Sequence, residues 1–167
     1  MKIYMSLSCK VGAYNKVLEE LMKLNVPKGD IFLLFGPIDV LVQFTGLKDL
    51  DEFSEKWFTP VRMACCKETL ITNTMTFVVI KEGTAYMEEP FAFMFLNVQP
   101  QHLENAQQAL LKMSEVISAD IVLGSYDIVS PVRAKDRVDL ERLISKIQRE
   151  VPGIKGTATT IVSMIRI

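Results

Sequence analysis

The sequence has few of the residues that build metal centres. It contains a single histidine, His102, and three cysteines in 167 residues. Cys9, Cys65 and Cys66 do not have the spacing of zinc ligands, so we expect no metal site. An odd number of thiols without a disulfide framework is typical of a reducing compartment, which indicates a cytoplasmic protein.

Motifs for phosphate binding and for nucleophilic catalysis are also missing. The sequence has no glycine-rich phosphate loop and no Gly-x-Ser-x-Gly nucleophile motif. It therefore predicts no cofactor, no catalytic residue and no enzymatic activity.

An excess of positive charge is the third absence. Lysine and arginine number 19 against 20 aspartate and glutamate residues, which gives a net charge of −1. Proteins that bind nucleic acids usually carry a basic surface, so we expect no direct nucleic-acid contact. The apolar run at 91–96 is far shorter than the ~20 residues of a membrane helix, so we expect no membrane contact.

What the sequence does contain is an internal repeat. GPIDVLV begins at Gly36 and GSYDIVS begins at Gly124, 88 residues further on. Each Gly-x-x-Asp lies between two apolar runs, after a strand and a helix, and before a second helix and a threonine-rich strand. This order predicts two βαββαβ units.

The apolar pattern gives the bounds of these units. We predict a diverged repeat at 1–80, a polar linker at 81–90 and a second repeat at 91–167. The predicted strands of the first repeat are 3–9, 31–35, 38–44 and 72–80. Those of the second repeat are 91–98, 116–123, 126–132 and 157–167.

Several predicted strands are apolar on both faces, such as IFLLF at 31–35 and FAFMFL at 91–96. Such strands should be covered on both sides, and two helices per unit can cover only one. The sequence thus predicts an α+β fold in which two ferredoxin-like units pack sheet to sheet as an intrachain pseudo-dimer, like a dimeric α/β barrel.

The second repeat resembles the effector-binding domain of the Lrp/AsnC regulators, also called the RAM domain. The resemblance rests on VLGSYDIV at 122–129, the helix DLERLISKI and PGIKGTATTIV at 152–162. The residues that match the signature turn and the Thr-x-Thr strand are Gly124, Tyr126, Asp127, Thr157 and Thr159.

The first repeat resembles the same domain less closely. Gly36 and Asp39 are in place, but Ile38 stands where tyrosine is usual. Thr72 and Thr74 supply a Thr-x-Thr pair, and Thr74 with Thr76 is a second possible register.

The resemblance implies a pocket for a small molecule, typically an amino acid, lined by the Gly-x-x-Asp turn and nearby strand residues. It also implies a homo-oligomer and an interaction with full-length Lrp/AsnC regulators. Those regulators usually carry an N-terminal helix-turn-helix, whereas this sequence starts with a strand. We therefore expect a non-catalytic sensing or oligomerisation module that acts without direct DNA binding.

Each candidate residue also has a purely structural interpretation. Asp39 and Asp127 could satisfy backbone N–H groups near a tight turn. Thr157 and Thr159 are good strand residues, and Tyr126 could be ordinary aromatic core.

An enzyme is the alternative at the level of function. Paired ferredoxin-like sheets also occur in small monooxygenases, which use a cavity lined by residues such as histidine, arginine or tryptophan. The candidates for that role are Trp57, Arg62 and His102, and the sequence assigns them to different elements.

Overall fold

The computed structural model of the protein describes residues 1–164, which form two units. Unit 1 comprises residues 1–76 with residues 163 and 164, and unit 2 comprises residues Phe77–Val162. The boundary lies inside a long strand, Ile71–Lys81. The polar residues 81–90 that follow this strand therefore belong to unit 2.

Unit 1 has the element order β-α-β-β-α-β. Strands β1 and β3 pair antiparallel, as do β2 and β3. The start of β4 lies beside the end of β1, because the Lys10 N–H donates to the Leu70 carbonyl over 2.8 Å. The elements are β1 (Ile3–Cys9), α1 (Tyr14–Lys23), β2 (Ile31–Phe35), β3 (Val40–Phe44), α2 (Leu50–Phe53), α3 (Thr59–Cys66) and β4 (Ile71–Lys81).

Helices α2 and α3 are joined by one π-helical segment, Ser54–Phe58. The sequence predicted a second helix in this repeat, and the structure adds the widened turn. Pro60 follows the segment; it has no N–H to donate, and its ring crowds the carbonyl four residues earlier. A π turn relieves that crowding, so the helical path continues to Cys66.

Unit 2 repeats the β-α-β-β-α-β order, so both units have a mixed α/β fold. Its strand order is β8-β5-β7-β6, and each neighbouring pair is antiparallel. Residues Val78–Lys81 of β4 pair with the outer edge of β6. The elements are β5 (Ala92–Val98), α4 (Leu103–Leu111), β6 (Asp120–Leu123), β7 (Ile128–Val132), α5 (Arg137–Glu150) and β8 (Ile154–Val162).

The core of unit 2 lies between its sheet and its two helices. Alternate β5 residues face this core, and α4 and α5 pack on it. Its members include Ala92, Met94, Leu96, Val98, Ala106, Leu110, Leu140, Leu143 and Ile147. Phe93 and Phe95 point to the opposite face and are also 0% exposed. Strand β5 is thus buried on both faces, as its continuous apolar run predicts.

The second helical segment of each unit begins with the same cap. In unit 1 the Asp49 carboxylate accepts from the Glu52 N–H, and the Glu52 carboxylate accepts from the Lys48 N–H. In unit 2 Asp136 accepts from the Asp139 N–H, and Asp139 accepts from the Lys135 N–H. Each is a variant of the capping box in which the return bond comes from the residue before the N-cap, so the repeat extends to hydrogen bonds that the apolar pattern does not report.

Four predicted strands begin later than expected, two of them by little: β5 starts at Ala92 instead of residue 91, and β7 at Ile128 instead of residue 126. Strand β3 starts at Val40, because Ile38 and Asp39 belong to the preceding turn. Strand β6 starts at Asp120 rather than at residue 116. Val116 forms only an isolated bridge with Val132, and its N–H bonds back to the Met113 carbonyl in a local turn. Val116, at the end of this turn, is apolar and buried, so the sequence predicted a strand here.

The last strand also differs from its predicted bounds. β8 begins at Ile154, three residues before the prediction, and it ends at Val162. The predicted end, 165–167, lies outside the described residues.

The helices are short. The longest of those given above, α5, has 14 residues. Among residues 1–164, none of the helices combines the length and the apolar character that crossing a bilayer requires.

Candidate functional site

Asp127 connects three strands of unit 2. Its Oδ2 accepts a hydrogen bond from the Val98 N–H over 2.8 Å, at the end of β5. Its own N–H donates to the Leu96 carbonyl, and its carbonyl accepts from the Val122 N–H on β6, both over 2.9 Å. The residue therefore fixes the β6–β7 turn against the end of the central strand.

Asp39 makes the same three bonds in unit 1. Its Oδ2 accepts from the Cys9 N–H over 2.7 Å at the end of β1. Its N–H donates to the Leu7 carbonyl over 3.3 Å, and its carbonyl accepts from the Leu34 N–H over 2.9 Å. Both aspartates thus perform the structural task that the sequence offered as their alternative role.

This task leaves part of the Asp127 carboxylate available. Asp127 is half-buried, and within residues 1–164 no protein group bonds its Oδ1. The preceding residues Leu123, Gly124 and Ser125 are exposed. A half-buried carboxylate oxygen beside an exposed turn can accept a charge-assisted bond from a cationic ligand group.

Tyr126 belongs to an aromatic cluster of unit 2. Its ring centroid lies 5.4 Å from that of Phe95 and 6.2 Å from that of Phe77. Phe95 points away from the helices, so Tyr126 lies on the face of the sheet opposite to α4 and α5. At the equivalent place in unit 1, Ile38 is buried.

Thr157 and Thr159 lie on the helix face of the sheet. They stand opposite Leu96 and Met94 on β5, and directly opposed residues of an antiparallel pair project to the same side. The Gln148 side chain of α5 donates to the Thr157 hydroxyl over 3.3 Å, which agrees with this placement. The structure therefore separates Tyr126 from both threonines.

The corresponding unit 1 residues are less enclosed. The exposed Thr72 hydroxyl donates to the Ser8 carbonyl over 3.2 Å, and Thr74 is half-buried. Gly36 is exposed in its turn, with a φ of 159°. None of the hydrogen bonds described here links these three residues to one another.

The residues considered for an enzyme have other contacts. The Trp57 ring lies 5.1 Å from the Phe44 ring, and the Arg62 guanidinium stacks 5.2 Å above Phe58. Both belong to unit 1, whereas His102 belongs to unit 2. Within the described part of the chain, no group of three or more histidine, cysteine, aspartate or glutamate residues is arranged to hold a metal ion.

Two of the thiols are poor nucleophiles. Burial raises the pKa of the Cys9 thiol to about 12, and the nearby Asp39 carboxylate and Cys65 act in the same direction. Burial likewise raises the pKa of Cys65 to about 11. A high pKa suppresses the thiolate, which is the reactive form.

Unit 2 also contains a buried polar cluster that the sequence did not predict. Gln107 and Asp120 are each 1% exposed, and Ser118 and Ser130 are 0% exposed. The signal in the sequence was a glutamine on the apolar side of a helix, and an aspartate directly before an apolar strand.

Comparison with known proteins identifies part of the chain. Residues 91–165 match the family model described as the Lrp/AsnC ligand binding domain. An uncharacterized HTH-type transcriptional regulator of Pyrococcus horikoshii is 31% identical over 99 residues, which are 53% of this chain and 63% of that protein. The HTH-type transcriptional regulator FL11 of Pyrococcus abyssi is 27% identical over 101 residues, 60% of this chain and 65% of FL11. The chain thus spans less than two thirds of these curated relatives.

Solved structures share the fold over nearly the whole chain. The siroheme decarboxylase NirDL, in complex with an iron-uroporphyrin III analogue, has a TM-score of 0.71 at 10% identity, covering 100% of this chain and 73% of NirDL. A heme-binding protein of Thermus thermophilus has a TM-score of 0.56 at 14% identity, covering 96% and 90%. A putative monooxygenase of Fusobacterium nucleatum has a TM-score of 0.53 at 12% identity, covering 99% and 92%.

These identities are low, so the solved structures establish a common fold and nothing of the activity. The family match, by contrast, includes the turn of Gly124 and Asp127 and the strand of Thr157 and Thr159. Residues 91–165 of this chain, a little under half of it, are therefore similar to the Lrp/AsnC ligand binding domain.

Proposed function

We propose that unit 2 is a non-catalytic sensing domain for a small molecule, and that its ligand is an amino acid. The match of residues 91–165 to the Lrp/AsnC ligand binding domain carries this proposal. The two regulators named above support it, because proteins described as transcriptional regulators are similar to more than half of this chain.

The turn from Gly124 to Asp127 is the proposed position of the ligand. The Asp127 Oδ1 receives the ligand's ammonium group, while Oδ2 keeps its bond to the Val98 N–H. The exposed Gly124 leaves room for the ligand beside the turn, and the Tyr126 ring, on the face away from the helices, supplies an apolar wall.

In this proposal Thr157 and Thr159 lie in a part of the sheet that the ligand at the turn does not contact. Thr157 is two strands away from Ile128, the residue after Asp127, so the separation is about 10 Å at the usual strand spacing. Thr157 and Gln148 therefore form a second polar position on the helix face, beyond the reach of one amino acid bound at the turn.

Unit 1 has a structural role in the same proposal. Asp39 keeps every hydrogen bond that fixes the turn. Its neighbour Ile38 is buried in the place where Tyr126 is half-exposed, so the first turn lacks the polar aromatic wall.

The architecture that we propose is a pair of ferredoxin-like units packed sheet to sheet as an intrachain pseudo-dimer. The shared element order, the matching capping boxes and the matching aspartate bonds support it. The likeness of the chain to NirDL, which is a likeness of fold at 10% identity, also supports it.

The partners that we propose are further copies of this chain and full-length Lrp/AsnC regulators. Any effect on DNA is then indirect, because the net charge of −1 gives the chain little attraction for phosphates. Native mass spectrometry of the chain, alone and mixed with such a regulator, tests this assignment. Monomers in both samples contradict it.

The sensing proposal is tested by a thermal-shift screen of the full chain against the common amino acids. A ligand at a hundred times its dissociation constant adds about 2.7 kcal/mol to the free energy of unfolding, which is easily detected as a higher melting temperature. Asp127→Asn keeps an acceptor for the Val98 N–H but loses the negative charge, so the shift should disappear while the fold remains. Asp39→Asn is the matched control and should keep the shift.

Two results contradict the sensing proposal. One is a screen in which no amino acid raises the melting temperature. The other is an Asp127→Asn protein that responds like the unmodified chain. Haem is included as a separate sample, since a stoichiometric change in its absorption would favour the enzymatic alternative, which now rests on fold alone.

A further inference from the structure

Residues 81–88, here called the strap, are fastened to unit 2 at both ends. At the start, the Lys81 ammonium pairs with Glu104 of α4 over 3.2 Å. At the end, Glu88 accepts two hydrogen bonds from the Arg133 guanidinium. The strap begins at the last residue of β4 and leads towards β5, and these contacts hold both of its ends on unit 2.

Buried side chains recognise the backbone of the strap between these ends. The Gln107 Nε2 donates to the Ala119 carbonyl over 2.9 Å, and it reaches the Lys81 carbonyl over 3.3 Å. The Asp120 carboxylate accepts from the Gly83 N–H over 2.8 Å. Gln107 and Asp120 are each 1% exposed, so the strap is bonded to side chains that are themselves buried in unit 2.

Gly83 is required by the close approach of the strap. A Cβ at this position would lie 2.6 Å from the backbone N and O of Ala119 and from the Ser118 Oγ. Two of these atoms belong to the backbone beside β6 and cannot move aside easily. Any other residue at position 83 would therefore push the strap away from Asp120.

The closed strap also covers two unsatisfied groups. Within residues 1–164, the buried Gln107 Oε1 and the buried Ser118 Oγ have no hydrogen-bond partner in the protein. A buried polar atom without a partner is unfavourable compared with the same atom in water. Opening of the strap would hydrate both atoms, which offsets part of the loss of the bonds to Gln107 and Asp120.

We propose that the strap is a conformational latch. Unit 2 holds it closed by recognising the backbone at Gly83, and it opens as a segment while the rest of unit 2 stays folded. Opening exposes the polar cluster of Gln107, Ser118 and Asp120. Most residues of the strap are exposed, and two unsatisfied atoms lie beneath it. Both are features of segments that open before global unfolding.

Native-state hydrogen exchange on the unmodified full chain tests this directly. The Gly83 amide should exchange more slowly than the amides of the exposed Thr84 and Ala85, since Asp120 holds it. It should also exchange at least tenfold faster than the Phe95 amide of the central strand, at a rate that low denaturant leaves unchanged. Two results overturn the latch. One is a Gly83 amide that exchanges as fast as the Thr84 amide, and the other is a Gly83 amide that exchanges only when the Phe95 amide does.

A second test follows cleavage by trypsin after Lys81, where the fragments 1–81 and 82–167 identify the site. Gly83→Ala should raise this cleavage rate at least tenfold. Gly156→Ala is the matched control in unit 2 and should leave the rate unchanged, because nothing lies within 4 Å of a Cβ there.

Gln107→Met supports the test without adding bulk at the strap. It removes both the donors and the unsatisfied oxygen at similar volume, and it should also raise the cleavage rate. A Gly83→Ala chain that is folded and is cleaved like the unmodified chain overturns the latch. If Gly83→Ala does not fold, the exchange rates of the unmodified chain decide.

Discussion

Asp127 in unit 2 makes the hydrogen bond that Asp39 makes in unit 1. Each Oδ2 accepts from the N–H at the end of the central strand, over 2.8 Å from Val98 and over 2.7 Å from Cys9. Either carboxylate can therefore fix its turn whether or not a ligand is present. A test of function has to separate this structural bond from ligand binding.

Removal of the carboxylate should reduce stability in both units. A hydrogen bond to a charged acceptor contributes about 1.5–3 kcal/mol, and solvent near these half-buried groups places the effect at the lower end. Asp127→Ala and Asp39→Ala should each lower the free energy of unfolding in urea by about 1–2 kcal/mol. The asparagine variants should lose less, since an amide oxygen still accepts. Alanine variants as stable as the unmodified chain would show that the bonds contribute nothing.

The core of unit 2 should respond strongly to truncation. Leu110 is 0% exposed between the sheet and α5, so Leu110→Ala should lower the free energy of unfolding by about 2–5 kcal/mol. Leu123, 59% exposed, serves as the control, and Leu123→Ala should change it by less than about 0.5 kcal/mol. Equal losses in the two urea titrations would contradict the assigned core.

The three thiols should react at different rates. Cys66 is exposed, whereas burial raises the pKa of Cys9 and of Cys65. At pH 8 the folded chain should therefore give one rapidly labelled thiol with a disulfide reagent, and the urea-unfolded chain should give three. Cys66→Ser should remove the rapid phase. Two or three rapid thiols in the folded chain would contradict the burial of Cys9 and Cys65.

The same pKa shifts predict a loss of stability in alkali. The unfolded thiols release their protons near pH 9, whereas the folded Cys9 and Cys65 keep them to pH values of about 12 and about 11. Above pH 9 the folded state therefore binds more protons than the unfolded state, and stability falls as the pH rises. The urea midpoint should be lower at pH 10 than at pH 8. A Cys9→Ser, Cys65→Ser double variant should show a smaller drop, and an equal drop would contradict the assignment.

Residues 1–167 should not recognise DNA by sequence. A net charge of −1 gives the chain little overall attraction for the phosphates of a duplex. Fluorescence anisotropy should show at most weak binding that disappears at a physiological ionic strength of about 0.15 M. Sequence-specific binding that persists at that salt would contradict the expectation.

The sequence predicted the bounds of a strand well where an apolar run is flanked by turn residues at both ends. The observed bounds of β1 and β2 are those expected, because apolar runs and turn residues mark both ends. Val116 was assigned to a strand because it is apolar and buried, but its hydrogen bonds form a turn. Burial alone does not distinguish these two structures.

The candidate site could be predicted only in part. Thr157 and Thr159 share one strand face, as period-two spacing requires, but only the register with Met94 and Leu96 shows which face that is. The ring contacts of Tyr126 with Phe95 and Phe77 likewise join residues that are far apart in the sequence. Spacing within one segment carries no information on such pairings.

The identical aspartate bonds in the two units have a consequence for how this chain can change. In a homodimer every substitution appears in both subunits, so a turn cannot gain a new ligand on one side alone. Here both repeats are parts of one chain, and each keeps its own fixed turn. The two turns are therefore free to diverge, and they have done so at the residue before the aspartate, which is Tyr126 in one repeat and Ile38 in the other.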